Sequence, residues 1–154
     1  MLRIGEIERK KDLNEVKKLF GDYASALGIS LDFQGFDQKL ANFPGDYSLP
    51  DGSLLMALWE GEVAGCVALR KFANGICEMK RLYTKPQFRG LGIGRALCEA
   101  IIVRARRIGY ERMRLDTLPS METARALYAS LGFKEIEPYR YNPIEGAHFM
   151  ELVL

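Results

Sequence analysis

Histidine is nearly missing from this chain: His148 is the only one in 154 residues. It begins a closing strand and reads as structural rather than catalytic, and no metal site is expected. Cysteine is scarce as well. Cys66, Cys77 and Cys98 are odd in number, lack a CxxC spacing and sit in apolar stretches. That argues against a disulfide framework and for reduced core thiols in a cytoplasmic protein. A covalent route through Cys77 would need a nearby base, and the spacing supplies none. A strong charge of either sign is absent, since 22 basic against 20 acidic residues leave a net charge of +2. Nucleic acid is therefore not expected as the main partner, although a local basic patch could still hold an anionic cofactor. No apolar run approaches the length of a membrane span. The N-terminus is charged from Arg3 to Asp12 and has no apolar signal core, so a membrane is not an expected partner either. Repeats, tails and low-complexity linkers are missing too. With 48% apolar and 27% charged residues, the composition is that of one globular domain, residues 1–154, able to bury a real core.

The stretch EMKRLYTKPQFRGLGIGR, from Glu78 to Arg95, organises the rest. Residues 78–84 are extended in character and end against Lys85-Pro86, because Pro fixes its own φ and disfavours helix at the residue before it. Arg89-Gly90-Leu91-Gly92-Ile93-Gly94 follows, and residues 95–108 take helical spacing. Glycine lets backbone approach a ligand closely. A helix start offers free N–H groups and the positive end of the helix dipole, and Arg89 adds a forked cation suited to phosphate. Together they describe a pyrophosphate cradle.

Around it the chain parses in order. Residues 2–7 form a short strand. Asp12 caps a helix, with Glu15 completing a capping box, and Leu13, Val16, Phe20, Tyr23 and Leu27 share its inner face up to Gly28. Residues 31–43 read as a second short helix. Strands at 53–59 and 63–70 flank Glu60-Gly61-Glu62, and Asn74-Gly75 turns the chain into 76–84. Beyond the long helix, residues 112–117 alternate as a strand. That strand follows a crossover helix and so should run parallel to the one before the loop. A helix at 121–131 and closing strands at 133–137 and 148–153 complete the chain.

The loop is not a P-loop, because Gly94 is followed by Arg95-Ala96 rather than Lys-Ser/Thr. It is not a dinucleotide fingerprint, because the third glycine would fall on Arg95 or Leu97. Gly90-x-Gly92-x-Gly94 does fit an S-adenosylmethionine-dependent methyltransferase, though Arg89 would then have little to do. Arg89-x-x-Gly92-x-Gly94 on a strand–loop–helix, the strand KRLYTKP before it and the segment ARALYASLGF from Ala124 to Phe133 resemble the GNAT family of acetyl-CoA-dependent N-acetyltransferases. The resemblance covers nearly the whole chain. It implies an α/β (α+β) fold: a mixed, mostly antiparallel sheet of six to seven strands with one splayed parallel pair and flanking helices. It further implies acetyl-CoA as cosubstrate, a small-molecule amine (or a peptide or protein amine) as acceptor, direct attack in a ternary complex, and room for a homodimer. Arg89, Gly90, Leu91, Gly92, Ile93, Gly94 and Arg95 would hold the pyrophosphate. The backbone of Leu82, Tyr83 and Thr84 would pair with the pantetheine arm. A non-catalytic acyl-CoA sensor is the alternative that keeps the cradle and gives up transfer.

Acetyl transfer needs a neutral amine, and deprotonating an ammonium of pKa near 10.4 at pH 7 costs roughly 4–5 kcal/mol. It also needs a polarised carbonyl and a proton for the departing thiolate. Tyr128 matches the family tyrosine that faces the cofactor sulfur, which makes it the candidate acid; as a plain helix-face aromatic it would instead pack on Leu127 and Leu131. Seven residues earlier, where the family often has an asparagine on the pantetheine arm, this chain has Met121. Glu78 is the candidate base, with a carboxylate paired to Lys80 as the competing reading and Asp116 as the rival base. Tyr139, Tyr141 and Phe36, with Phe33 and Tyr47, would line the acceptor pocket, where Arg70, Lys80 and Arg81 hint at an acceptor that bears a carboxylate.

Overall fold

The computed structural model describes residues 1–7, 10–27, 47 and 50–154. The elements in order are β1 (Leu2–Glu6), α1 (Lys10–Leu27), β2 (Ser53–Trp59), β3 (Glu62–Ala73), β4 (Ile76–Thr84), a 3-10 turn (Pro86–Phe88), α2 (Ile93–Ile108), β5 (Arg112–Thr117), α3 (Glu122–Ser130), β6 (Lys134–Ile136) and β7 (His148–Val153). The strands form one sheet in the order β1-β2-β3-β4-β5-β7-β6. Every neighbouring pair is antiparallel except β4 and β5, as expected where a helix separates two adjacent strands. The expected short helix at 31–43, with Phe33 and Phe36, lies outside the described residues.

Alternation along the strands divides the apolar side chains between two cores. On one face Leu97, Ile101 and Ala105 of α2 and Tyr128 of α3 pack on Met79, Met113, Leu115 and Met150. On the other, Val16, Leu19 and Phe20 of α1 cover Leu54, Met56, Cys66, Ala68 and Tyr83. Each fully buried aliphatic or aromatic side chain contributes about 1.5–3 kcal/mol, so these two layers fix which face every strand residue takes.

Two helix starts differ from the sequence reading by two residues or more. Helix α1 begins at Lys10, which places Asp12 inside its first turn rather than at the cap; a carboxylate there still suits the helix dipole. Helix α2 begins at Ile93 because Gly92, at φ +80°, serves as its N-cap. At the other end Gly109 takes φ +110° and its N–H donates to the Ala105 and Arg106 carbonyls, a C-cap that glycine makes without a Cβ clash.

The feature that positions the site is where pairing stops. β4 and β5 pair over three rungs, from Ile76↔Arg112 to Glu78↔Arg114. Beyond that rung β4 continues to Thr84 and β5 to Thr117, with no described strand between them. β3 holds the far edge of β4 as far as Gly65↔Thr84, and β7 holds the far edge of β5 out to Thr117↔His148. The sheet therefore opens as a seam at its centre. Among the described residues no helix is long and apolar enough to cross a membrane.

Candidate active site

The glycine loop lies at the open end of the seam. Pro86–Phe88 makes one 3-10 turn whose Phe88 is buried in the core, which anchors the loop start. Gly90 and Gly92 take φ +82° and +80°, where a Cβ would be strained. Helix bonding begins with Ala96 donating to the Gly92 carbonyl, so the N–H groups of the first turn, at Ile93, Gly94 and Arg95, have no helical acceptor. A helix start with no side-chain cap, following a glycine loop, is a ready anion site. The Arg89 side chain beside it donates to the Thr84 carbonyl at 3.2 Å and lies 5.9 Å from the Tyr83 ring centroid. Arg95 bonds Ser130 at 3.0 Å and Glu99 at 3.0 Å, tying the start of α2 to α3. A depression of about 500 Å³, walled by Asp22, Ser25, Tyr83, Lys85, Pro86 and Gln87, opens next to the end of β4.

β4 carries a bulge. Cys66 pairs with Tyr83 and Ala68 with Lys80, so Arg81 and Leu82 together face Val67. Arg81 takes φ +60°, an unusual conformation for a non-glycine residue and one that clusters at functional sites. As a result two successive side chains, Lys80 and Arg81, face α1. Arg81 lies 5.9 Å over the Phe20 ring, Leu82 returns to the α2 side and Tyr83 packs edge-on to Tyr23 at 6.2 Å. Gly65 is needed opposite: a Cβ there would sit 2.4 Å from the Tyr83 carbonyl oxygen.

On this α1 face Glu78 is fully buried. It accepts from Arg70 Nε at 2.8 Å, from the Tyr139 hydroxyl at 2.6 Å and from Arg140 at 3.2 Å, with Lys80 Nζ 3.8 Å away. Burial alone would raise its pKa, but Lys80, Arg70, Tyr139 and Arg140 outweigh burial and hold the carboxyl down at about 2. Lys80 also reaches Asp116 at 3.6 Å. Its burial pushes it down to about 8, against the pull of Glu78 and Asp116. Asp116 in turn accepts from Asn142 at 3.1 Å.

Lys80 and Asp116 are the α1-side residues of β4 and β5 just past the last paired rung. Their ion pair, at 3.6 Å, therefore bridges the two strands at the closed end of the seam. Tyr139 is held by its bond to Glu78 and by edge-on packing against Phe72 at 5.0 Å and Phe149 at 5.3 Å, whereas Tyr141 is 76% exposed. Phe36 lies outside the described residues. Sequence reasoning did not single out Arg140 or Asn142. Both come from an irregular segment more than twenty residues from their partners, and spacing carries no signal for such contacts.

Tyr128, 4% exposed, packs against Phe133 at 5.7 Å, and its hydroxyl bonds none of the described residues. Burial first, then Cys98, Tyr23 and Asp116, raise its pKa well above the ordinary value, so the phenol keeps its proton at neutral pH. The site thus combines an anion cradle, an unpaired strand edge, a protonated phenol and an adjacent buried carboxylate.

The sequence matches the acetyltransferase (GNAT) family over residues 16–133. This chain belongs to the GNAT family. An uncharacterized N-acetyltransferase of Schizosaccharomyces pombe is 42% identical over 153 residues, covering 98% of this chain and 94% of that protein. The fold is shared with an acetyltransferase from Streptococcus agalactiae, at TM-score 0.79 and 22% identity over 99% of this chain and 98% of that one. It is also shared with the PaiA N-acetyltransferase of Thermoplasma acidophilum in complex with coenzyme A, at 0.76 and 19% over 100% and 99%. The GNAT chain is an acetyl-CoA-dependent N-acetyltransferase. An all-parallel doubly wound sheet would have favoured the methyltransferase alternative, whereas this sheet has a single parallel pair.

Proposed function

We propose that this GNAT enzyme transfers the acetyl group to a primary amine by direct attack in a ternary complex, with Tyr128 as acid and Asp116 as base. The observation that carries this reading is the seam itself: β5 brings the Asp116 carboxylate just past the last β4–β5 rung, and the protonated Tyr128 phenol belongs to the core on the other face of the same strands. The N–H groups at the uncapped start of α2 and Arg89 bind the pyrophosphate. The unpaired edge at Leu82, Tyr83 and Thr84 pairs with the amide-bearing pantetheine arm and carries the thioester inward. The amine attacks the thioester carbonyl as Asp116 takes its proton, and the C–S bond breaks as Tyr128 protonates the sulfur. Glu78 anchors the cationic face in this reading. Its lone pairs are already committed to Arg70, Tyr139 and Arg140, and a carboxyl held at about 2 is a weak proton acceptor.

A small-molecule amine is the acceptor we favour. The cation-rich α1 face, with Arg70, Arg114 and Arg140, favours one that also bears a carboxylate, and exposed Tyr141 is placed to touch it. We place the enzyme in the cytoplasm, since Cys66, Cys77 and Cys98 are all free and buried.

Steady-state kinetics on Tyr128→Phe and Asp116→Asn test the chemistry. The Phe variant keeps the ring packing and should lose about 10²-fold in kcat while calorimetry shows unchanged acetyl-CoA binding. The Asn variant should fall about as far at pH 7 and recover as rising pH deprotonates the amine. An unchanged kcat for Tyr128→Phe, where chemistry limits the rate, removes the acid. An amine panel names the acceptor. Acetyl-CoA binding with no CoA released by any amine would support the sensor instead.

A further inference from the structure

Thr117 ends β5 with 3% of its surface exposed, and its hydroxyl is buried with no hydrogen-bond partner among the described residues. A buried hydroxyl without a partner is unfavourable and rare enough to need a reason. Position supplies one. Thr117 lies past the last β4–β5 rung, where β5 borders the open seam. By alternation its side chain shares a face with Met113 and Leu115, in the core that also holds Tyr128. Asp116 occupies the opposite face. Of the next four side chains, Leu118, Pro119, Ser120 and Met121, only Ser120 carries a hydroxyl, and it is exposed. The Ser53 hydroxyl is also unpartnered, but β3 stands between β2 and the seam.

We propose that Thr117 is a cosubstrate-binding residue whose hydroxyl hydrogen-bonds an amide of the pantetheine arm of acetyl-CoA. The β4 backbone holds the arm from one side of the seam and Thr117 holds it from β5. This inference rests on the reading that the arm occupies the seam. The arm supplies the partner that this hydroxyl lacks among the described residues.

The test is calorimetric titration of coenzyme A into wild type, Thr117→Val and Thr117→Ser, with the ligand-free melting temperature of each. Valine keeps the shape and removes the hydroxyl, so coenzyme A should bind about 3- to 10-fold more weakly. Serine keeps the hydroxyl and should bind within about twofold of wild type. The ligand-free valine variant should melt no lower than wild type, because it loses a group that made no bond. Adenosine 3′,5′-bisphosphate, which lacks the arm, should bind all three proteins alike. Equal coenzyme A affinity in the valine variant overturns the proposal, as does a loss that adenosine bisphosphate shares. A lower ligand-free melting temperature with unchanged coenzyme A binding would make the hydroxyl structural. Failure of wild type itself to bind coenzyme A would remove the underlying reading instead.

Discussion

Replacing Glu78 by glutamine removes one charge from the centre of the buried cluster and almost nothing of its shape. The folded protein holds this carboxyl at about 2, down from 4.5, a difference worth about 3 kcal/mol of stability. The lower value belongs to the folded state, so as pH falls the unfolded chain takes up the proton first. The stabilisation is complete above about pH 4.5 and is lost as pH drops towards 2. Mutational experience points to the same size, since removing one partner of a buried ion pair costs about 3–5 kcal/mol. Glutamine still offers one oxygen to Tyr139 or an arginine, which favours the lower end. Urea denaturation of both proteins should show a gap of about 3 kcal/mol at pH 7 that narrows steadily below pH 4. A gap under about 1 kcal/mol, together with a collapsed kcat and loss of the acidic limb of the pH–rate profile, would refute the anchor and restore Glu78 as the base.

Two further outcomes follow from the cradle and the bulge. Arg89→Ala should raise the acetyl-CoA KM by about 10- to 100-fold with little change in kcat, because charge-assisted bonds to the pyrophosphate are the same in ground and transition states; a lower kcat at unchanged KM would contradict that role. Gly65→Ala places a Cβ 2.4 Å from the Tyr83 carbonyl oxygen, so β3 and β4 must part beside the bulge. Thermal and urea unfolding should show a loss of about 1–3 kcal/mol, and a variant as stable as wild type would show that the two strands separate freely there.

Local rules made the scaffold legible in the sequence. Asn74-Gly75 marks a turn, Gly75 takes φ +74°, and the predicted hairpin is there. Glu60 and Gly61 both take positive φ in the two-residue turn between β2 and β3, the geometry that suits strand twist. Arg112 to Thr117 alternates in sequence and in burial alike. The bulge at Arg81 was not legible: an arginine gives no sign of a left-handed backbone, and tertiary packing imposes it. Nor was the set of partners around Glu78. Lys80 lies on the same strand and was foreseen, but Tyr139 and Arg140 reach Glu78 across 61 and 62 residues, through a segment with no periodicity to read. Tyr139 carried an expectation of acceptor contact, yet its hydroxyl is spent on Glu78. Tyr141, two residues on, is the exposed ring.

The seam also gives the sheet an extra edge. Its outer edges are β1 and the three-residue β6, short strands that offer little to a neighbour. β4 beyond Glu78, by contrast, presents an unpaired row of N–H and C=O groups in the middle of the fold. Such a row is a template for any extended chain, and native sheets cover or charge their edges for that reason. The amide-bearing arm of acetyl-CoA is in this sense a removable strand. If the arm lies along β4 as proposed, cosubstrate would cover an edge that is otherwise open to strand addition, and light scattering with and without coenzyme A would show whether that edge drives self-association.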